Sequence, residues 1–169
     1  MSVREASEKA SADAVFLPGH HDLYMDYSRK AREIVERFSP IVIAASIDEH
    51  YIDFRGCERL YRVAGDVDDD ATIERVVREC TATIARELGL PSSAGIATTK
   101  PMAKVASNLA KPAGVMMVRA GTEAETLAPL PVRVVALLVF LAQLLTETRN
   151  SADVRGAICV SRRRIEWDA

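Results

Sequence analysis

Apolar residues along this chain switch repeatedly between helical spacing and short continuous runs, and that alternation restricts the fold more than any other feature. Leu23, Tyr27, Ala31, Ile34, Val35 and Phe38 recur at helical spacing and predict an amphipathic helix over 20–38. Ser39-Pro40 ends it. The run 41–46 is short, β-branched and almost wholly apolar, the pattern of a strand buried on both faces. Residues 51–54 predict its hairpin partner across 47–50. Ile73, Val76, Val77, Cys80, Ile84 and Leu88 form the clearest helical stripe. Aspartates of the run 66–70 are placed to cap its start, and Gly89 and Pro91 stop it. A small-residue strand over 92–98 follows, then a helix over 101–110 that buries Met102, Val105, Ala106 and Leu109. A strand over 115–118 and short helices over 3–9 and 122–127 complete the pattern. This order predicts an α/β (α+β) layered domain with mixed strand directions.

Composition narrows the classes of function. Of 169 residues, 49% are apolar and 27% charged, which is the make-up of a globular domain with a real core. The net charge of −2 gives no bulk attraction to nucleic acid, so any such contact must come from a local basic face. Cys57, Cys80 and Cys159 are widely spaced and lack a C-x-x-C pair, which argues against a disulfide framework or a zinc site and for a reducing, cytoplasmic location. The charged start of the chain is unlike a signal peptide. The apolar run 134–145 is shorter than the roughly 20 residues a membrane span needs, and predicts a buried helix.

Two groups of residues carry chemical potential. Asp48 and Glu49 are adjacent carboxylates at the junction of two apolar strands, where charge is costly unless paired or metal-bound. In a tight hairpin both can reach one divalent cation, and magnesium favours such oxygen ligands. Read alone, such a pair is more often a solvated turn. The second group is Lys100, Lys104, Asn108 and Lys111, which recur at helical spacing opposite the Met102/Val105/Leu109 stripe. That face suits phosphates, or is simply a solvated lysine face. The three histidines form no ligand set, and there is neither a phosphate-cradling glycine loop nor a G-x-S-x-G elbow.

In order along the chain stand Phe16-Leu17-Pro18-Gly19, Tyr27-Ser28, Arg37-Phe38-Ser39-Pro40 and Ser46-Ile47-Asp48-Glu49 with Tyr51-Ile52-Asp53. Ser93-Ala94-Gly95-Ile96-Ala97, Lys100, Ala103-Lys104-Val105-Ala106-Ser107 and Lys111-Pro112-Ala113-Gly114 follow. Together these blocks resemble the Y-family (translesion) DNA polymerases, especially the bacterial DNA polymerase IV group, from about residue 3 to residue 133. The resemblance implies a palm-like mixed or antiparallel sheet with helices packed on one face. It implies partial fingers over 1–19, a palm over 20–128 and a degenerate thumb remnant over 129–169. Asp48 and Glu49 then correspond to two of three carboxylates holding catalytic Mg2+ in a two-metal site, with Ser46 in support. Lys111 matches the lysine on the triphosphate, and Lys104 takes a supporting phosphate role. Primer-template DNA and a deoxynucleoside triphosphate are the implied partners, with a sliding clamp possible and no membrane.

The sequence also departs from that family. It has no D-x-D-x-F-F strand, from which the third carboxylate comes, so the resemblance implies a truncated fragment with an incomplete metal site and little activity. His50 stands where the family carries a small residue and is expected to crowd the site. Residues 134–140 contain no glycine where a helix-hairpin-helix is expected, although 148–156 and 162–167 resemble a later part of the thumb. The alternative is a non-catalytic DNA-repair accessory or protein-binding relative of the same family.

Overall fold

The computed structural model of the chain describes residues 3–11, 13–132 and 157–162. Along it run α1 (Val3–Lys9), α2 (His21–Glu36), β1 (Val42–Ala44), β2 (Glu49–Asp53) and α3 (Glu58–Tyr61). Then come α4 (Asp69–Leu88), β3 (Ser92–Ala97), α5 (Lys100–Leu109), β4 (Val115–Met117), α6 (Glu123–Leu127) and β5 (Ala157–Arg162). The strands form one mixed sheet in the order β1-β2-β5-β3-β4. All neighbours are antiparallel except β3 and β4.

The two-residue pleat divides the apolar residues between two cores. Ile52, Phe54, Ala94 and Ile96 meet Ile34 and Val35 of α2 and Ile73, Val76, Val77, Cys80 and Ile84 of α4. Burial pushes the Cys80 thiol up to about 12, helped by the charge of Glu79, so Cys80 is a core residue and not a reactive one. On the opposite face Tyr51 and Ala97 pack with Met102, Ala103, Val105 and Ala106 of α5 and with Val118. The mixed sheet matches the expected fold class, but helices cover both faces where a single layer was expected. Gly95 is the reason: a side chain there would run into the backbone of α5 at Ala103 and Ser107.

Two further readings are corrected by the structure. The strand expected over 41–46, buried on both faces, is a short edge strand with Ile43 47% exposed, because β1 has only β2 beside it. Leu109, expected in the core, is 42% exposed at the last residue of α5. Residues 58–61, where no helical spacing of apolar residues predicts an element, form the single turn α3. No local pattern predicts a strand over 157–162, yet β5 sits at the centre of the sheet, pairing β2 on one side and β3 on the other. The helix expected over 134–145 and the thumb-like stretches at 148–156 and 162–167 lie outside the described residues, except Arg162, which ends β5.

The acidic run before α4 works as its spacing suggests. The Asp68 carboxylate accepts from the Ala71 N–H at 2.7 Å, and Gly89 closes the helix in the left-handed conformation at φ 66°. Asp66 accepts from Arg75 at 2.8 and 3.0 Å, from the Val63 N–H at 3.1 Å and from the Thr72 hydroxyl at 3.0 Å. The Arg75 guanidinium, then these hydrogen bonds, hold the Asp66 carboxyl well below the usual carboxylate range. A depressed folded-state value means that the stabilisation is present above the unfolded value of about 4 and is lost as pH falls below it. Asp66→Asn is therefore expected to lower the urea midpoint at pH 7, with the gap to wild type closing as pH falls below about 4. A gap that stays constant across that range contradicts this assignment.

Candidate functional site

The turn 45–48 joins β1 to β2, and its geometry is set by one carbonyl. The N–H groups of Ala45 and Ser46 both donate to the Glu49 carbonyl, at 3.0 and 3.4 Å. The Ser46 hydroxyl then donates to Asp48 Oδ1 at 2.6 Å, and the Asp48 N–H returns to Ser46 Oγ at 3.4 Å. Asp48 thus belongs to the turn, exposed and fixed by Ser46, while Glu49 is the first residue of β2 with its side chain only 20% exposed. Because Asp48 lies outside the ladder, strict strand alternation does not force the two carboxylates apart.

Helix α5 lies over the sheet face that carries Glu49, Tyr51 and Asp53. Its start is capped by the Thr99 hydroxyl, which accepts from the Met102 N–H at 3.4 Å, with Pro101 in the first turn. One helical turn of four residues advances about 6 Å. Two strand residues advance about 6.7 Å. Successive turns of α5 therefore meet alternate residues of β2. The Lys104 ammonium pairs with the Glu49 carboxylate, and the Lys100 ammonium lies 5.9 Å from the Tyr51 ring centroid. Asp53 comes next: burial acts to raise its pKa, but the hydrogen bonds and charge of Arg55, with the charge of Lys100, outweigh burial and leave it lowered.

The structure therefore pairs Ser46 with Asp48 and Lys104 with Glu49, on neighbouring residues of the turn and of β2. Lys104 is no solvated lysine: its side chain is 16% exposed. Lys111 is exposed and lies past the end of α5, and no contact joins it to the carboxylates. His50 is 4% exposed and, by pleat alternation, faces away from Glu49, so it does not crowd the carboxylates from their own side. The pairing of Lys104 with Glu49 and the placing of Lys100 over Tyr51 were missed by sequence reading, and the one local signal for them is Gly95, which admits α5 to this face.

Among the described residues no three or more His, Cys, Asp or Glu side chains converge on a common point. Magnesium does not require that many, since it commonly takes one or two protein carboxylates and completes its shell with water and substrate phosphate. Glu49 already has a cationic group drawn against it in a largely buried setting. Asp48 and Glu49 are adjacent oxygen donors of the kind that a divalent ion takes together with a phosphate ligand.

The family described as impB/mucB/samB matches residues 1–108. A DNA polymerase IV of Dehalococcoides mccartyi is 38% identical over 121 residues, covering 72% of this chain and 29% of the relative. A DNA polymerase IV of Moorella thermoacetica is 34% identical over 133 residues, covering 79% and 31%. The chain spans about 30% of the length of the curated relatives it matches. Among solved structures, a Y-family DNA polymerase chimera superposes with a TM-score of 0.65 at 22% identity, over 79% of this chain and 36% of that one. A Dbh ternary complex gives 0.62 at 21% identity, over 75% and 35%, and shares the fold.

Proposed function

The chain belongs to the impB/mucB/samB family of Y-family polymerases, and on that premise we propose that its Asp48–Glu49 turn is part of a centre for DNA-templated nucleotidyl transfer to a primer 3′-hydroxyl, of the translesion type. The observation that carries this reading is the pair itself: two adjacent carboxylates, one fixed by Ser46 and one largely buried, beneath a lysine-bearing helix. The substrates are primer-template DNA and a deoxynucleoside triphosphate.

Asp48 and Glu49 hold Mg2+ in this reading. Bound there, the metal supplies activation of the 3′-hydroxyl and neutralises charge on the triphosphate and the leaving pyrophosphate. Ser46 keeps the Asp48 carboxylate in one rotamer, and exposed Lys111 draws the triphosphate by charge. In this reading residues 20–128 form the palm together with β5, which lies inside its sheet, while 1–19 belong to the fingers and the rest of 129–169 to a thumb remnant. A cytoplasmic location accords with the reaction. No described helix is long and apolar enough to cross a membrane.

Phosphoryl-transfer catalysis rests on positioning and charge stabilisation. With two carboxylates at this turn and no third converging among the described residues, the chain by itself is expected to extend primers poorly or not at all. Gel-resolved extension of a primed template with Mg2+ and all four deoxynucleotides checks this. Efficient extension that is lost in Asp48→Asn would overturn the expected weakness while supporting the assignment of Asp48. Extension that survives Asp48→Asn would overturn the assignment itself.

A further inference from the structure

Lys104 has a position that its spacing in the sequence does not foretell. Its ammonium sits against Glu49 with both side chains mostly out of water, at 16% and 20% exposure. A carboxylate in such a place needs a cationic companion, because leaving it unpaired is costly. The lysine is delivered there by a backbone that has no room to move: α5 is seated against Gly95 so closely that an added methyl group would overlap it. Only the lysine's own stem, four carbons with rotatable bonds, is free to carry the ammonium elsewhere.

We propose that Lys104 is a displaceable counter-ion for Glu49, a positioning residue that holds the carboxylate until a divalent cation takes its place. This rests on the reading of Asp48 and Glu49 as metal ligands. Two cationic groups then compete for one carboxylate, and the ammonium must leave as the metal enters. The turn offers the metal a second carboxylate, Asp48, which is exposed and held by Ser46. The displaced ammonium stays on the same face of α5, where the phosphate of a metal-bound ligand gives it a new anionic partner. Lys104 thereby keeps Glu49 ordered without metal and weakens metal binding until the phosphate arrives.

The wild-type chain gives the first test, since it needs no variant to fold. Acylation of the Lys104 amine by a water-soluble acetylating reagent, read by peptide mass spectrometry, is expected to speed up about fivefold when Mg2+ saturates the site, because the ammonium is released from Glu49. Glu49→Gln is expected to start at the fast rate and to show no response to Mg2+. The second test is Mn2+ binding, followed by the electron paramagnetic resonance of the free ion. Lys104→Met is expected to bind Mn2+ about fivefold more tightly than wild type, and Lys104→Arg to restore the wild-type value. A Lys104 amine whose reactivity ignores saturating Mg2+, or a Lys104→Met variant that is folded and binds Mn2+ no more tightly, would overturn the proposal while leaving Asp48 and Glu49 as ligands. If neither wild type nor Lys104→Met shows Mn2+ binding that depends on Glu49, the metal reading fails and this inference falls with it.

Discussion

Gly95→Ala is expected to cost about 3 kcal/mol of folding stability or more, the upper end of what overpacking a core does. The added methyl would overlap the Ala103 carbonyl and the Ser107 N–H, and would stand 2.8 Å from the Ala106 Cβ. Two of those three atoms are backbone, so no rotamer change relieves the contact. Either β3 bends or α5 lifts from the sheet, and both moves are resisted by close packing. Ala103 and Ala106 are themselves fully buried, and Val105 is 1% exposed, which leaves little slack in the layer. Lifting α5 would also draw Lys104 from Glu49 and Lys100 from Tyr51. Equilibrium urea unfolding measures the loss, and a cost below about 1 kcal/mol would show that α5 is not seated as described.

Much of this arrangement was readable from local chemistry. The stripe from Ile73 to Leu88, the Asp68 cap and the Gly89 stop specify α4 by short-range rules, and the structure has all three. The hairpin at Asp48 and Glu49 was readable because two apolar runs flank a polar turn. What escaped was set by topology. Ile43 is as apolar as a central strand demands, yet it lies at an edge, and nothing in residues 41–46 records that only one neighbour is present. Strand β5 is a six-residue run far from its partners in sequence, and its place between β2 and β3 comes from long-range pairing. The lysine face of α5 was visible as a pattern, but the partner of Lys104 lies 55 positions earlier, beyond the reach of any periodicity.

The candidate site was legible in a different sense. Resemblance picked out Ser46, Asp48, Glu49, Lys104 and Lys111, and the geometry adds physical reasons for treating the first four as a unit. The Ser46 hydroxyl on Asp48 and the ammonium on Glu49 are contacts that order acidic side chains before any ligand arrives. Preordering matters because a metal site built of two carboxylates has few bonds with which to offset the loss of side-chain freedom. It also makes the effect of removing the charges large. Replacing both carboxylates by their amides keeps shape and hydrogen-bonding volume while deleting the two negative charges that draw the ion. Divalent binding at this turn is then expected to fall at least tenfold, which corresponds to about 1.4 kcal/mol.

The measurement that tests this most directly is Mn2+ titration of the intact 169-residue chain and of its Asp48→Asn/Glu49→Gln variant, with folding checked by circular dichroism. A weak site in the wild type, lost from the folded double variant, is the expected result. Equal Mn2+ binding by both proteins would contradict the assignment of Asp48 and Glu49 as the metal ligands.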